Sequence, residues 1–249
     1  MLSRLLLCPV TLLLPFFLWA PSIEGAATPA FGPPLLCHPF ELDGATSLPF
    51  GKGPFDADPD LARSRVLPLA ISLLAASDDT TVHMETVRRL VVTLGGDPHS
   101  SGDRRTALRP VIEALSERHQ RAVSEMASHP LDARARRAVA LTGLDLAYAC
   151  GAAADFGATM RDDRETAALA TTAVALCPDD GAVHLFAAML AMSQARTEQM
   201  YRHLDSALVR AVDEDGMLCR NICGTLGRNL NLKTRKALVA RVGQRVEHA

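Results

Sequence analysis

The chain has 249 residues, of which 48% are hydrophobic, 22% charged and only 4% aromatic, and its formal net charge at pH 7 is -2. Binding to a phosphate backbone requires a surplus of basic residues, and stacking on bases requires aromatic side chains. The composition therefore argues against a nucleic-acid partner.

Residues 1–27 have the pattern of a secretory signal peptide. A positively charged start that includes Arg4 precedes an apolar run at 5–20, and small residues follow at 25–27. The run contains two prolines and is shorter than the ~20 apolar residues that cross a bilayer, and no later stretch is long enough. The sequence predicts an exported chain, periplasmic or extracellular, with no stable membrane span once the signal is removed.

Residues 28–59 carry seven prolines and four glycines, which excludes a regular helix. The segment is nevertheless too apolar for a disordered linker, because it also contains Phe31, Leu35, Leu36, Phe40, Leu42, Leu48, Phe50 and Phe55. We expect an extended arm that lies on the rest of the protein and packs its phenylalanines into grooves. The alternative is an exposed docking peptide.

Residues 60–249 are predicted to form one α-helical domain. Apolar residues recur at helical spacing, and the alternating β-branched runs typical of strands are absent. Predicted N-caps are Asp58 before Pro59, Asp103, Asp132 and Asp180, and predicted helix ends include Gly95-Gly96 and Cys150-Gly151. About nine helices result, with later ones at 163–177, 180–195, 197–212, 216–228 and 232–247. The predicted fold class is all-α, with antiparallel helical hairpins joined by short turns.

Residues 163–215 resemble tetratricopeptide-type helical repeats, whose period is 34 residues. At that offset Ala173 falls on Ala207 and Ala170 on Leu204, and Pro178 follows Ala173 at the family's spacing. The sequence departs from the family's pattern at three positions, which hold His184, Ala191 and Met200. The resemblance implies a short stack of hairpins with a concave surface for peptides or proteins, and it implies no catalytic residues. An irregular helical bundle is the alternative.

Five cysteines remain after removal of the signal, and an exported protein can form disulfides. A bridge from Cys37 in the arm to Cys150 or Cys177 would close a loop of more than a hundred residues and fix the arm. The alternative is that these cysteines are buried and reduced. Cys219 and Cys223 lie one helical turn apart, where a bridge between them would constrain little.

No catalytic residue, metal ligand or cofactor is predicted. Cys219 and Cys223 could form a zinc site with His184 or His203, but no second Cys/His pair at ligand spacing supports it. Known nucleophile and metalloprotease motifs are absent. The sequence favours an exported interaction or scaffold protein that binds an unidentified protein or peptide. The alternatives are an enzyme of unrecognised family and a cysteine-based redox or metal-binding protein.

Overall fold

The computed structural model describes residues 35–53, 55–96, 103–213, 216–232 and 234–246. Within that part the chain forms α-helices and one π-helical turn, and its β-type pairing is limited to a single antiparallel bridge between Phe50 and Ala57. The predicted all-α fold class is confirmed. The predicted signal peptide, 1–27, and the first part of the arm, 28–34, lie outside the described residues.

The helices occupy most of the chain after the arm. They are α1 Arg63–Ala76, α2 Thr80–Gly95, α3 Arg104–Ser128, α4 Ala133–Asp155, α5 Asp163–Leu176, α6 Gly181–Ser193, α7 Thr197–Arg210, α8 Met217–Ile222 and α9 Arg235–Val246. The π-helical turn Cys223–Gly227 follows α8 directly.

Aspartate side chains set the start of five helices. In each, the carboxylate of the residue before the helix accepts a hydrogen bond from a first-turn N–H that has no partner within the helix. These residues are Asp79, Asp103, Asp132, Asp162 and Asp180. The predicted caps Asp103, Asp132 and Asp180 are therefore confirmed.

The predicted cap at Asp58 is wrong. Helix α1 begins at Arg63, and its N-cap, Ala62, makes no side-chain hydrogen bond. The Asp58 carboxylate instead accepts from the N–H of Asp60 at 2.9 Å. This local turn is a well-known competitor of the helix for an aspartate side chain.

The predicted end of α4 at Gly151 is also wrong, because the helix continues to Asp155. A Cβ atom on Gly151 would lie 2.7 Å from Cδ1 of Leu35 and 3.0 Å from Cδ1 of Leu190. Gly151 therefore allows the arm and α6 to approach α4 closely, and it does not terminate the helix.

The helices form two layers. The inner layer is α2, α4 and α6, which pack on one another and are buried around most of their circumference. The outer layer is α1, α3, α5 and α7, each of which buries a narrower face against its inner neighbours. None of the described helices is both long and apolar enough to cross a membrane.

Candidate functional site

The described part of the arm, residues 35–53 and 55–59, lies across the inner layer and is held there by its main chain. The Tyr148 hydroxyl donates to the carbonyl of Leu35, and the Arg88 guanidinium donates to the carbonyl of Leu36 at 3.2 Å. Arg89 donates to the carbonyl of Leu48 at 2.7 Å. A segment rich in proline cannot satisfy its own carbonyls by secondary structure. Side chains of α2 and α4 do so instead.

A buried carboxylate organises this contact. Glu85, fully buried in α2, accepts from Arg88 through both of its oxygens at 2.8 Å, from Arg89 at 2.6 Å and from the N–H of Phe40 at 3.0 Å. Burial acts to lower the pKa of Arg88, but hydrogen bonds with Glu85 and its negative charge outweigh burial and raise the pKa. The Phe50 ring lies 5.2 Å from the Arg88 guanidinium and 5.7 Å from that of Arg89. Phe50 of the arm therefore covers the guanidinium groups of Arg88 and Arg89, which in turn bind the main chain of the arm.

The arm is also joined to α8. The Asn221 side chain accepts from the N–H of Glu41 at 2.8 Å and donates to the carbonyl of the same residue at 3.0 Å. Arg220 forms ion pairs with the carboxylates of Glu41 and Asp43, each at 2.5 Å. The side-chain amide of Asn221 thus satisfies both main-chain polar groups of Glu41, as the main chain of a neighbouring β-strand would.

The described phenylalanines of the arm all contact the helical core. Phe40 is buried edge-on against Tyr148, with ring centroids 6.5 Å apart, and Tyr148 in turn stacks on Phe186 at 5.7 Å. Phe50 and Phe55 are half-buried against the same core. In this conformation residues 35–53 and 55–57 are part of the folded body and do not present a free docking peptide.

An open groove of about 240 Å³ lies between α5, α6 and α7. Its apolar lining is made mostly of alanines, whose small side chains leave space between the three helices. These residues are Ala167, Ala170, Val174, Ala187, Leu190 and Ala191.

The rest of the groove's lining is polar and carries no carboxylate. It consists of Thr171, Gln194, Gln199, Arg202 and His203. Amide and hydroxyl groups can both donate and accept hydrogen bonds, whereas guanidinium only donates. The groove therefore combines an apolar lining with groups that donate and accept hydrogen bonds.

A histidine and an aspartate with the appearance of a catalytic pair lie elsewhere, in the core. His83 is 2.8 Å from Asp145 through Nδ1 and 2.9 Å from the carbonyl of Ser77 through Nε2, and Arg118 pairs with the same aspartate. Burial acts to lower the pKa of His83, but Asp145 outweighs it and raises the pKa. Both ring nitrogens face acceptors and His83 is 1% exposed. The cluster joins α2, α3 and α4 and leaves no nitrogen for a substrate.

The predicted disulfide residues are free thiols in the structure. Burial raises the pKa of Cys150 to about 11, and burial together with Asp155 raises that of half-buried Cys37. Cys177, also half-buried, lies beside Arg137. Both thiols with a raised pKa stay protonated near neutral pH, which lowers their reactivity. A bridge between Cys37 and Cys150 or Cys177 stays a prediction.

The comparisons add no relatives. No protein-family model matches the chain, and no curated protein or solved structure was found to be similar to it. Within the described residues, no group of three or more His, Cys, Asp or Glu side chains is placed to hold a metal ion.

Sequence reasoning missed the residues that hold the arm. Glu85, Arg88 and Arg89 interrupt a helix whose other positions are largely apolar and buried. Charged residues at buried positions of a helix must find buried partners, so charges among largely apolar positions were a usable signal. Tyr148 and Asn221 carried no such signal, because their partners lie 113 and 180 residues away.

Proposed function

We propose that this chain is an exported helical interaction protein that binds an extended segment of a partner protein or peptide. The groove between α5, α6 and α7 is the proposed binding site. A tetratricopeptide-like stacking of these helices is part of the proposal. The proposal assigns no catalytic residue and no nucleic-acid partner.

The observation that carries the proposal is the chemistry of this groove. Small apolar side chains form its floor, and its polar lining is neutral to basic, with Arg202 and no carboxylate. These features favour a segment with small or medium apolar side chains and polar main-chain groups. The arm supports the proposal, because it shows side chains of the neighbouring inner helices α2 and α4 holding an extended chain by its main-chain groups.

The arm also supports the groove mechanically. Leu35 packs at Gly151 close to Leu190, which also lines the groove, so the arm supports a residue of the groove. A binding surface that is already fixed loses less conformational entropy when a partner docks. The pair of His83 and Asp145 is a less favourable candidate, since both side chains are shielded from solvent.

The test is to fill the groove with one large side chain. Ala167 is half-buried in the groove and Ala168 is exposed beside it, so A167W should block the site and A168W should not. The natural tryptophan, Trp19, lies in the predicted signal peptide. Each variant would therefore carry the exported chain's sole tryptophan, and a blue-shifted emission in A167W alone would show that the groove is filled.

Binding is then measured by crosslinking the exported chain in its native envelope fraction and identifying what is captured. We expect a reproducible protein or peptide partner that A168W retains and A167W loses. Retention by A167W, with emission showing a filled groove, would place the partner elsewhere. Isolation of the wild-type chain as a monomer without any partner would contradict the proposal and favour the enzyme alternative.

A further inference from the structure

Two histidines face each other where α6 packs on α7. The ring centroids of His184 and His203 are 5.7 Å apart, and the ring planes are tilted by 40°. His184 is only 7% exposed. His203 is half-buried and lines the groove between α5, α6 and α7.

The hydrogen bonding of His184 fixes its tautomer. Nε2 lies 2.9 Å from the carbonyl oxygen of Pro178, which can only accept, so Nε2 carries the proton. Nδ1 is buried and has no hydrogen-bond partner in the structure. In the neutral ring this nitrogen holds a lone pair, which a bound ion or a water molecule can satisfy.

Burial lowers the pKa of His203, and the nearby His184 and Arg202 lower it further. The charge of Arg202 is partly balanced by Glu198, 3.5 Å away. Metal binding requires imidazole ligands in the neutral form.

The separation of the rings fits coordination of a single ion. With metal–nitrogen bonds of ~2.0–2.1 Å, each ring centre lies roughly 3.2 Å from the ion, so two ligands with a tetrahedral to linear arrangement have centroids about 5 to 6.5 Å apart. The observed 5.7 Å lies inside this range. The bond from Nε2 of His184 to a main-chain carbonyl is the outer contact that orients histidine ligands of metals.

We propose that His184 and His203 bind one divalent transition-metal ion of the zinc or cobalt class. Imidazole suits such ions. The described part of the chain adds no further His, Cys, Asp or Glu to the pair. Water completes the coordination, so the site is open and exchangeable. This site was not predicted from the sequence, which suggested at most a zinc site built around Cys219 and Cys223.

Cobalt(II) alone, titrated into the untagged exported chain, is the test. We expect one ion per chain, with a visible absorption spectrum that lacks the charge-transfer bands of thiolate ligands, and with displacement by zinc. H203A should abolish this binding while circular dichroism shows an unchanged helical fold. H129A is the matched control and should bind cobalt normally, because the side chain of His129 is 58% exposed and pairs with Glu125.

A second measurement keeps the test valid if H203A does not fold. In the unmodified chain, nitrogen NMR of the imidazoles should show zinc shifting the Nδ1 resonance of His184 while Nε2 keeps its proton. The proposal is overturned by absence of binding, by thiolate bands, by binding that persists in H203A, or by an unshifted His184. None of these outcomes depends on the partner proposed for the groove.

Discussion

Replacing Glu85 by glutamine is the most direct test of how the arm is held. E85Q removes the charge between Arg88 and Arg89, whose guanidinium groups both bond to it, and Arg88 is 0% exposed. Removing one partner of a buried ion pair typically costs about 3–5 kcal/mol, because the remaining charge stays buried without compensation. That is a large part of the ~5–15 kcal/mol that stabilises an ordinary domain.

Urea unfolding followed by far-UV circular dichroism measures this effect. With a slope of about 2–3 kcal/mol per molar urea, the midpoint of E85Q should fall by about 1 to 2.5 M. E117Q is the matched control, since Glu117 pairs with Arg121 at 3.8 Å on an exposed surface. Such surface pairs are worth about 0–1 kcal/mol.

A double variant separates the ion pair from general disruption of the core. In E85Q/R88M the buried charge and its partner are removed together. Neighbouring residues in one network couple by about 0.5–3 kcal/mol, so the double variant should lose less stability than the sum of the single variants. If E85Q unfolds at the same urea concentration as E117Q, the buried carboxylate does not hold the arm and the reasoning is wrong.

Two further predictions concern α4. G151A should be less stable than G243A by about 1–3 kcal/mol, because both gain helix propensity but only the Cβ at 151 meets the buried side chains of Leu35 and Leu190. Equal melting temperature shifts would refute it. Burial raises the pKa of Asp155 to about 6, so this carboxyl binds its proton more tightly in the folded chain than in the unfolded chain. The protonated carboxyl therefore contributes its full stabilisation below pH ~4. This stabilisation is lost as the pH rises through about 6. D155N should therefore gain about 2 kcal/mol over the wild type between pH 4 and pH 7, measured by urea unfolding across that range; a difference that does not change with pH would contradict this.

Local features of the fold were predictable from the sequence. Asp103, Asp132 and Asp180 cap helices through contacts within a few residues, which a linear pattern records faithfully. The predicted helix cap at Asp58 was wrong because an aspartate side chain can also accept a hydrogen bond within a turn, as Asp58 does from Asp60. The predicted helix end at Gly151 was wrong because this glycine makes room for Leu35 and Leu190, which are distant in the chain.

The candidate sites depend on contacts between distant residues, so fewer of their features could be predicted from the sequence. The resemblance to helical repeats pointed to 163–215, where the groove lies, and several of its alanines line that groove. It also marked His184 as a departure from the family's pattern. The tautomer of His184 and its nearness to His203 follow only from how α6 packs on α7.

The way the arm is held determines the order in which the protein can be assembled. Leu35 to Glu41 are made before the helices, yet their partners follow 45, 113 and 180 residues later, at Glu85, Tyr148 and Asn221. Contacts this distant in sequence are slow to form, because a long loop must close first. The earliest described segment to be synthesised can therefore complete its contacts only after Asn221 has been made, although its contacts with Glu85 and Tyr148 can form before that.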